Sequence, residues 1–114
     1  MNADCDPNRC PPMIGTADIL RLVAAHTRVA PDIIVGRSLA PEVRLARYAV
    51  AYLAYHFAGK SDQQIAKVLG NRERTTIFHL RQRAGEIAAV DNDYGQMVMT
   101  LAARIEAQRS GEAR

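Results

Sequence analysis

The sequence predicts an all-α protein, a single helical domain of five or six helices that contains a helix-turn-helix. Three observations carry that prediction. Apolar residues recur at steps of three and four almost throughout, no alternating strand pattern runs longer than a few residues, and a capped short helix, a glycine turn and a second amphipathic run follow one another across residues 61–87. At 114 residues the chain has enough length for one core and one domain. Residues 1–13 are expected to form a disordered tail, 14–108 the domain and 109–114 a frayed end.

The first helix is expected to start at Thr16 as N-cap and to bury Ile19, Leu20, Leu22, Val23 and Ala24, ending between His26 and Val29. Pro31 interrupts it. The segment DIIVG (32–36) is too short for more than one turn, with Ile33 and Ile34 as its anchors to the core. Ser38 is the next cap candidate and Pro41 falls in a first turn, where its missing N–H costs nothing. Val43, Ala46, Val50, Leu53 and Phe57 then form the stripe of a long central helix that Gly59 ends.

Ser61 and Gln64 make the S-x-x-Q capping box of a short helix from Asp62 to Leu69, burying Ile65, Val68 and Leu69 and stopped by Gly70. Asn71 is the expected cap of the next helix, which starts near Arg72 and buries Ile77, Leu80, Ala84 and Ile87, with Phe78 beside them. Asp91, Asn92 and Asp93 make a turn and cap. A last helix follows on Met97, Leu101 and Ile105.

The GKS at 59–61 invites a phosphate-loop reading, which fails. That loop needs G-x-x-x-x-G-K-[ST] between a strand and a helix, so that several N–H groups turn toward the phosphates. Here the first glycine position is Ala54, and a helical stripe precedes it. The helix-turn-helix reading fits the same residues. In that motif the first turn of the second helix enters the major groove. It offers Glu73 as an acceptor for cytosine N4, Arg74 as a fork for guanine O6 and N7, and Thr75 and Thr76 as methyl-bearing hydroxyls.

Net charge is +3, but its distribution is uneven. From Arg37 to Arg83 nine basic residues face three acids, a net of +6, while residues 1–36 carry −1 and residues 84–114 carry −2. A polyanion would therefore meet the middle of the chain. The residues expected to hold a DNA backbone there are Arg37, Arg44, Arg47, Lys60, Lys67, Arg72, His79 and Arg83. Thirteen of the fifteen cations are arginine, the side chain suited to bidentate contact.

The segment IAKVLGNRERTTIFHL (65–80) resembles the signature of the C-terminal DNA-binding domain of the bacterial chromosomal replication initiator DnaA, close to I-G-x-x-F-G-G-R-D-H-T-T-V-L-H-A. Ile65, Gly70, Arg72, Thr75, Thr76 and His79 match outright, and Arg47, Tyr52 and Leu53 of LARYAVAYLA are similar to the family's preceding helix. The resemblance covers about 90 residues and implies an all-α fold akin to the Trp repressor group, reading a short duplex site. It carries base contact over to Glu73, Arg74 and Thr75, with Thr76 beside them. Glu73 and Arg74 replace an aspartate and a histidine of that pattern, so the preferred site is expected to shift. The family's minor-groove arginine falls on Leu39, and Arg37 is its nearest substitute. The initiator's ATPase module has no counterpart in these residues, which points to a free-standing transcriptional regulator or replication-associated site binder.

Other chemistry is not indicated. Cys5 and Cys10 give at most half a zinc site, the three histidines form no ligand pair, and no nucleophile-base order or cofactor loop stands out. No enzyme activity, metal, nucleotide or cofactor is expected. The amino terminus has early acids and no apolar stretch, and no run of about 18 apolar residues occurs, so a cytoplasmic, nucleoid-associated protein is expected, with no membrane contact. Tyr48, Tyr52 and Tyr55 are expected at the rim of the core. The alternative to a DNA binder is an adaptor that keeps the fold and presents its basic face to an acidic protein. Monomer and homodimer both remain open, since the apolar stretch Met97–Leu101 suits either core or dimer contact.

Overall fold

A computed structural model describes residues 15–111, and six helices follow one another in it. The tail of residues 1–13, with Cys5 and Cys10, lies outside the described residues, as do residues 112–114 of the expected frayed end. α1 (Thr16–Thr27) is capped one residue earlier than expected. The backbone N–H of Gly15 donates to Asp18 Oδ2 at 3.0 Å, while Thr16 is itself helical and buried. Thr16 serves as packing rather than as a cap because the acid three residues past Gly15 reaches back first. Arg28 closes the helix in the left-handed conformation, its N–H on the carbonyl of Ala24.

α2 (Pro31–Val35) is the single turn expected from DIIVG. Ile34 anchors it in the core, with Val35 packed alongside. Ile33 is 48% exposed, because the turn directs Ile34 and Val35 to the core and leaves Ile33 on its outer face. α3 (Pro41–Phe57) begins with Pro41 at its first position and Ala40 as N-cap, where Ser38 had been expected. Ser38 instead accepts from the N–H of Ala40, stiffening the loop before the helix. α3 touches each of the other five helices, and its middle, Ala46 to Ala51, is buried on every side. Four fully buried alanines of α3 (Ala46, Ala49, Ala51, Ala54) let neighbouring helices approach closely.

α4 (Asp62–Val68) carries the predicted box in both directions: Gln64 N donates to Ser61 Oγ at 3.1 Å, and Ser61 N donates to Gln64 Oε1 at 2.9 Å. Ile65 and Leu69 are fully buried and Val68 partly so. α5 (Arg74–Val90) places Ile77 and Ala84 in the core, with Leu80 and Ile87 packed against it. α6 (Asn92–Gly111) follows after Asp91, whose Oδ1 accepts from Tyr94 N at 3.1 Å, the turn and cap that the Asp-Asn-Asp triplet predicts. Tyr94, Val98, Leu101, Ala102 and Ile105 are its buried face. Met97 is only half-buried, because Tyr94 and Val98 occupy the centre of the stripe. The Tyr94 hydroxyl reaches the carbonyl of Leu45 at 2.8 Å and ties α6 to α3. Among the described residues no helix is long and apolar enough to cross a membrane.

Candidate nucleic-acid interface

α4, the turn and α5 form the helix-turn-helix, and the turn's backbone decides where α5 begins. Gly70 and Asn71 both adopt left-handed φ, 88° and 60°. Two successive left-handed residues cannot belong to a right-handed helix, so the chain regains helical geometry only after an extended Glu73. Two expectations are corrected here. Asn71 lies in the turn rather than capping α5, and the helix starts at Arg74 rather than near Arg72, with Glu73 as its N-cap.

The turn is fixed against the loop before α3. A Cβ on Gly70 would stand 2.7 Å from the carbonyl oxygen of Val35, so only glycine permits this approach. Arg72 Nε donates to Leu69 O at 2.6 Å, and its Nη2 donates to the carbonyls of Val35 and Gly36. From the other side, Arg47 Nε donates to Ile34 O at 2.8 Å, and its Nη2 to Gly36 O and Ser38 O, each at 3.1 Å. Burial lowers the pKa of both guanidiniums. For Arg47 the positive charges of Arg72, Arg44 and Arg37 lower it further, and for Arg72 that of Arg37 does. The four arginines thus share one positive seam beside the motif.

Arg47 and Arg72 were both expected at a DNA backbone, and the structure spends them elsewhere. Arg47 is only 4% exposed and Arg72 is half-buried, their donors committed to carbonyls. The loop whose carbonyls they hold carries Arg37, which is exposed. Arg44 is exposed and donates to the Tyr48 hydroxyl at 3.2 Å. Arg83 is exposed and pairs with Glu86 at 3.0 Å, an ion pair in solvent that a phosphate could displace. Lys67 is exposed on the last turn of α4, Lys60 is half-buried just before its cap, and His79 is exposed on α5 against the edge of Phe78.

The four residues expected to read bases come together. Glu73, Arg74 and Thr75 are exposed and Thr76 half-buried, forming the N-cap and first turn of α5. None of the four makes a side-chain cap bond to that helix, and no acid lies in its first turn. The side chains of Glu73, Arg74 and Thr75, and part of Thr76, are thus accessible at one end of a helix, as major-groove readout requires.

One organising residue escaped the sequence reading. Arg81 on α5 grips Asp62 on α4 through Nε–Oδ1 at 2.9 Å and Nη2–Oδ2 at 3.1 Å. Its guanidinium also lies 3.6 Å from the ring centroid of Tyr55 and 4.8 Å from that of Phe78. The hydrogen bond to Asp62 raises its pKa, so it remains a fixed cation between the two helices. No spacing rule connects residues 62 and 81; only the angle between the helices brings them together.

A family described as the bacterial DnaA protein helix-turn-helix matches residues 16–83. Among curated proteins, the chromosomal replication initiator protein DnaA of Thermus thermophilus is 30% identical over 84 residues, 74% of this chain and 19% of that protein. The DnaA of Deinococcus radiodurans is 30% identical over 95 residues, covering 83% of this chain and 20% of its own length. That of Nautilia profundicola is 26% identical over 98 residues, 86% and 22% respectively. The chain spans about a fifth of the length of these relatives. No solved structure matches.

Proposed function

Because the chain belongs to the bacterial DnaA helix-turn-helix family, we propose that it binds double-stranded DNA sequence-specifically, as a replication-associated site binder or a regulator of transcription. In this reading the first turn of α5 enters the major groove, where Arg74 takes a guanine edge, Glu73 a cytosine amino group, and Thr75 and Thr76 a thymine methyl or a phosphate. Arg37, Arg44, Lys60, Lys67, His79 and Arg83 contact the flanking backbone. Arg47 and Arg72 act through the loop they hold. The protein works as a non-catalytic binder at the nucleoid, without nucleotide or metal.

The observation that carries the proposal is the pairing of an exposed, uncommitted polar first turn on α5 with a four-arginine seam against its entry turn. A solvated helix start explains the first feature; the second leaves Arg37 and Arg44 exposed beside two guanidiniums already held by carbonyls, a net positive surface that favours a polyanion. Titration of duplex DNA at several salt concentrations tests it. Five flanking cations (Arg37, Arg44, Lys60, Lys67, Arg83) give a slope of log affinity against log salt of roughly −4.5. Affinity for an acidic protein with none for duplex DNA would overturn the reading in favour of an adaptor.

A further inference from the structure

We propose that the carboxamide of Asn71 donates a hydrogen bond to a backbone phosphate at the edge of the groove that α5 enters, making the turn itself a DNA contact. The inference rests on the DNA-binding reading above. Asn71 is exposed, and its side chain has no hydrogen-bond partner among the described residues. It is nonetheless held in place. Gly70 before it abuts the Val35 carbonyl, and Arg72 after it is tied by its N–H to Ala66 O at 3.1 Å and by its guanidinium to Leu69 and the loop before α3.

A φ of 60° is conformationally cheapest for glycine; asparagine adopts it more readily than other residues with a side chain, yet still at a cost. The position therefore carries a side chain that its backbone does not require. That side chain projects into solvent from the turn, two residues ahead of the N-cap Glu73, at the end of α5 that presents Arg74 and Thr75. The terminal NH2 supplies two donors, and phosphate oxygens are the acceptors that line a groove edge. No acid other than the N-cap Glu73 lies between Asn71 and the first turn of α5, where Arg74 adds a positive charge.

The backbone and side-chain contributions can be separated, because Asn71→Gly removes the carboxamide while leaving φ 60° unstrained. Binding is measured by fluorescence anisotropy on a preferred duplex and on a scrambled one, with thermal melting as the fold check. The expected result is an unchanged or higher melting temperature, with affinity lowered on the order of three- to tenfold on both duplexes alike. Asn71→Asp, which tolerates the same backbone, should weaken binding further, and added salt should narrow its deficit. Asn71→Gly binding both duplexes as the wild type does, while Arg74→Ala loses its preference, would overturn the contact without touching the DNA-binding reading. A loss confined to the preferred duplex would overturn the phosphate assignment in favour of a base contact. Wild-type protein that binds neither duplex would remove the premise instead.

Discussion

Arg47 and Arg72 donate to one and the same acceptor, the carbonyl oxygen of Gly36. One guanidinium comes from the buried face of the central helix and the other from the turn of the helix-turn-helix, so a single backbone atom couples α3, the loop before it and the entrance to α5. Two like charges converge there because carbonyl dipoles, not carboxylates, satisfy them. No carboxylate neutralises the pair, so the exposed Arg37 and Arg44 beside it keep this side of the molecule positive.

Replacing Arg47 with Ala should destabilise the fold by about 2–4 kcal/mol, since the carbonyls of Ile34, Gly36 and Ser38 lose a buried donor together. Lys should not rescue it, because an ammonium cannot reproduce the planar fork. Urea denaturation measures the loss. A variant that keeps its stability and loses only DNA affinity would mean that Arg47 touches DNA after all.

Gly70→Ala combines a left-handed φ of 88° with a Cβ 2.7 Å from Val35 O. The expected cost is about 2–3 kcal/mol, seen in denaturation, with weaker binding to every duplex because α5 is displaced as a unit. A neutral result would show that the turn can pull away from α2 at no cost.

The Arg81–Asp62 pair should give a coupling energy of about 1 kcal/mol in a double-mutant cycle of Arg81→Lys and Asp62→Asn, read by chemical denaturation. Both side chains are mostly shielded, so the value should exceed that of the solvent-exposed Arg83–Glu86 pair, measured in the same way. Equal values would argue against a role in setting the angle between α4 and α5.

Stability should also fall on mild acidification through His56. Although His56 is exposed, partial desolvation beside the Tyr52 and Tyr55 rings, and then the charge of Arg81, hold its pKa below the ordinary imidazole value, so the unfolded chain takes up a proton before the folded one does. This contribution is fully present above about pH 6.5 and is lost as the pH drops through the lower folded value. His56→Gln should remove that part of the decline between neutral and mildly acidic pH in melting curves. A variant with the wild-type slope would place the titration elsewhere.

Much of this architecture is legible in local sequence. The Ser61–Gln64 box, the glycine turn and the Ile77–Ala84 stripe rest on contacts within one or two helical turns, which spacing reports directly. Cap positions were less legible. Thr16, Ser38 and Asn71 each have a suitable side chain, but a competing acid at Asp18, a proline at Pro41 and two left-handed residues moved the helix starts to other residues. Least legible was the division of the arginines. Arg44 and Arg47 sit one turn apart on α3 with the same chemistry, and only the carbonyls of a loop folded over one of them make Arg47 internal and leave Arg44 outside. Arg81 went unnoticed for the same reason, since its partners lie on other helices or only become adjacent through the fold.

The most direct test of sequence-specific binding is selection of bound duplexes from a randomised library at near-physiological salt, carried out in parallel with wild-type protein and Arg74→Ala. The account predicts an enriched motif of about one helical turn for the wild type, with the variant losing its preference at one guanine and about 1–3 kcal/mol of affinity, whereas Lys67→Ala weakens all duplexes evenly. A palindromic motif would add a dimer on paired half-sites. Recovery of duplexes without any shared motif, or of none at all, would contradict it.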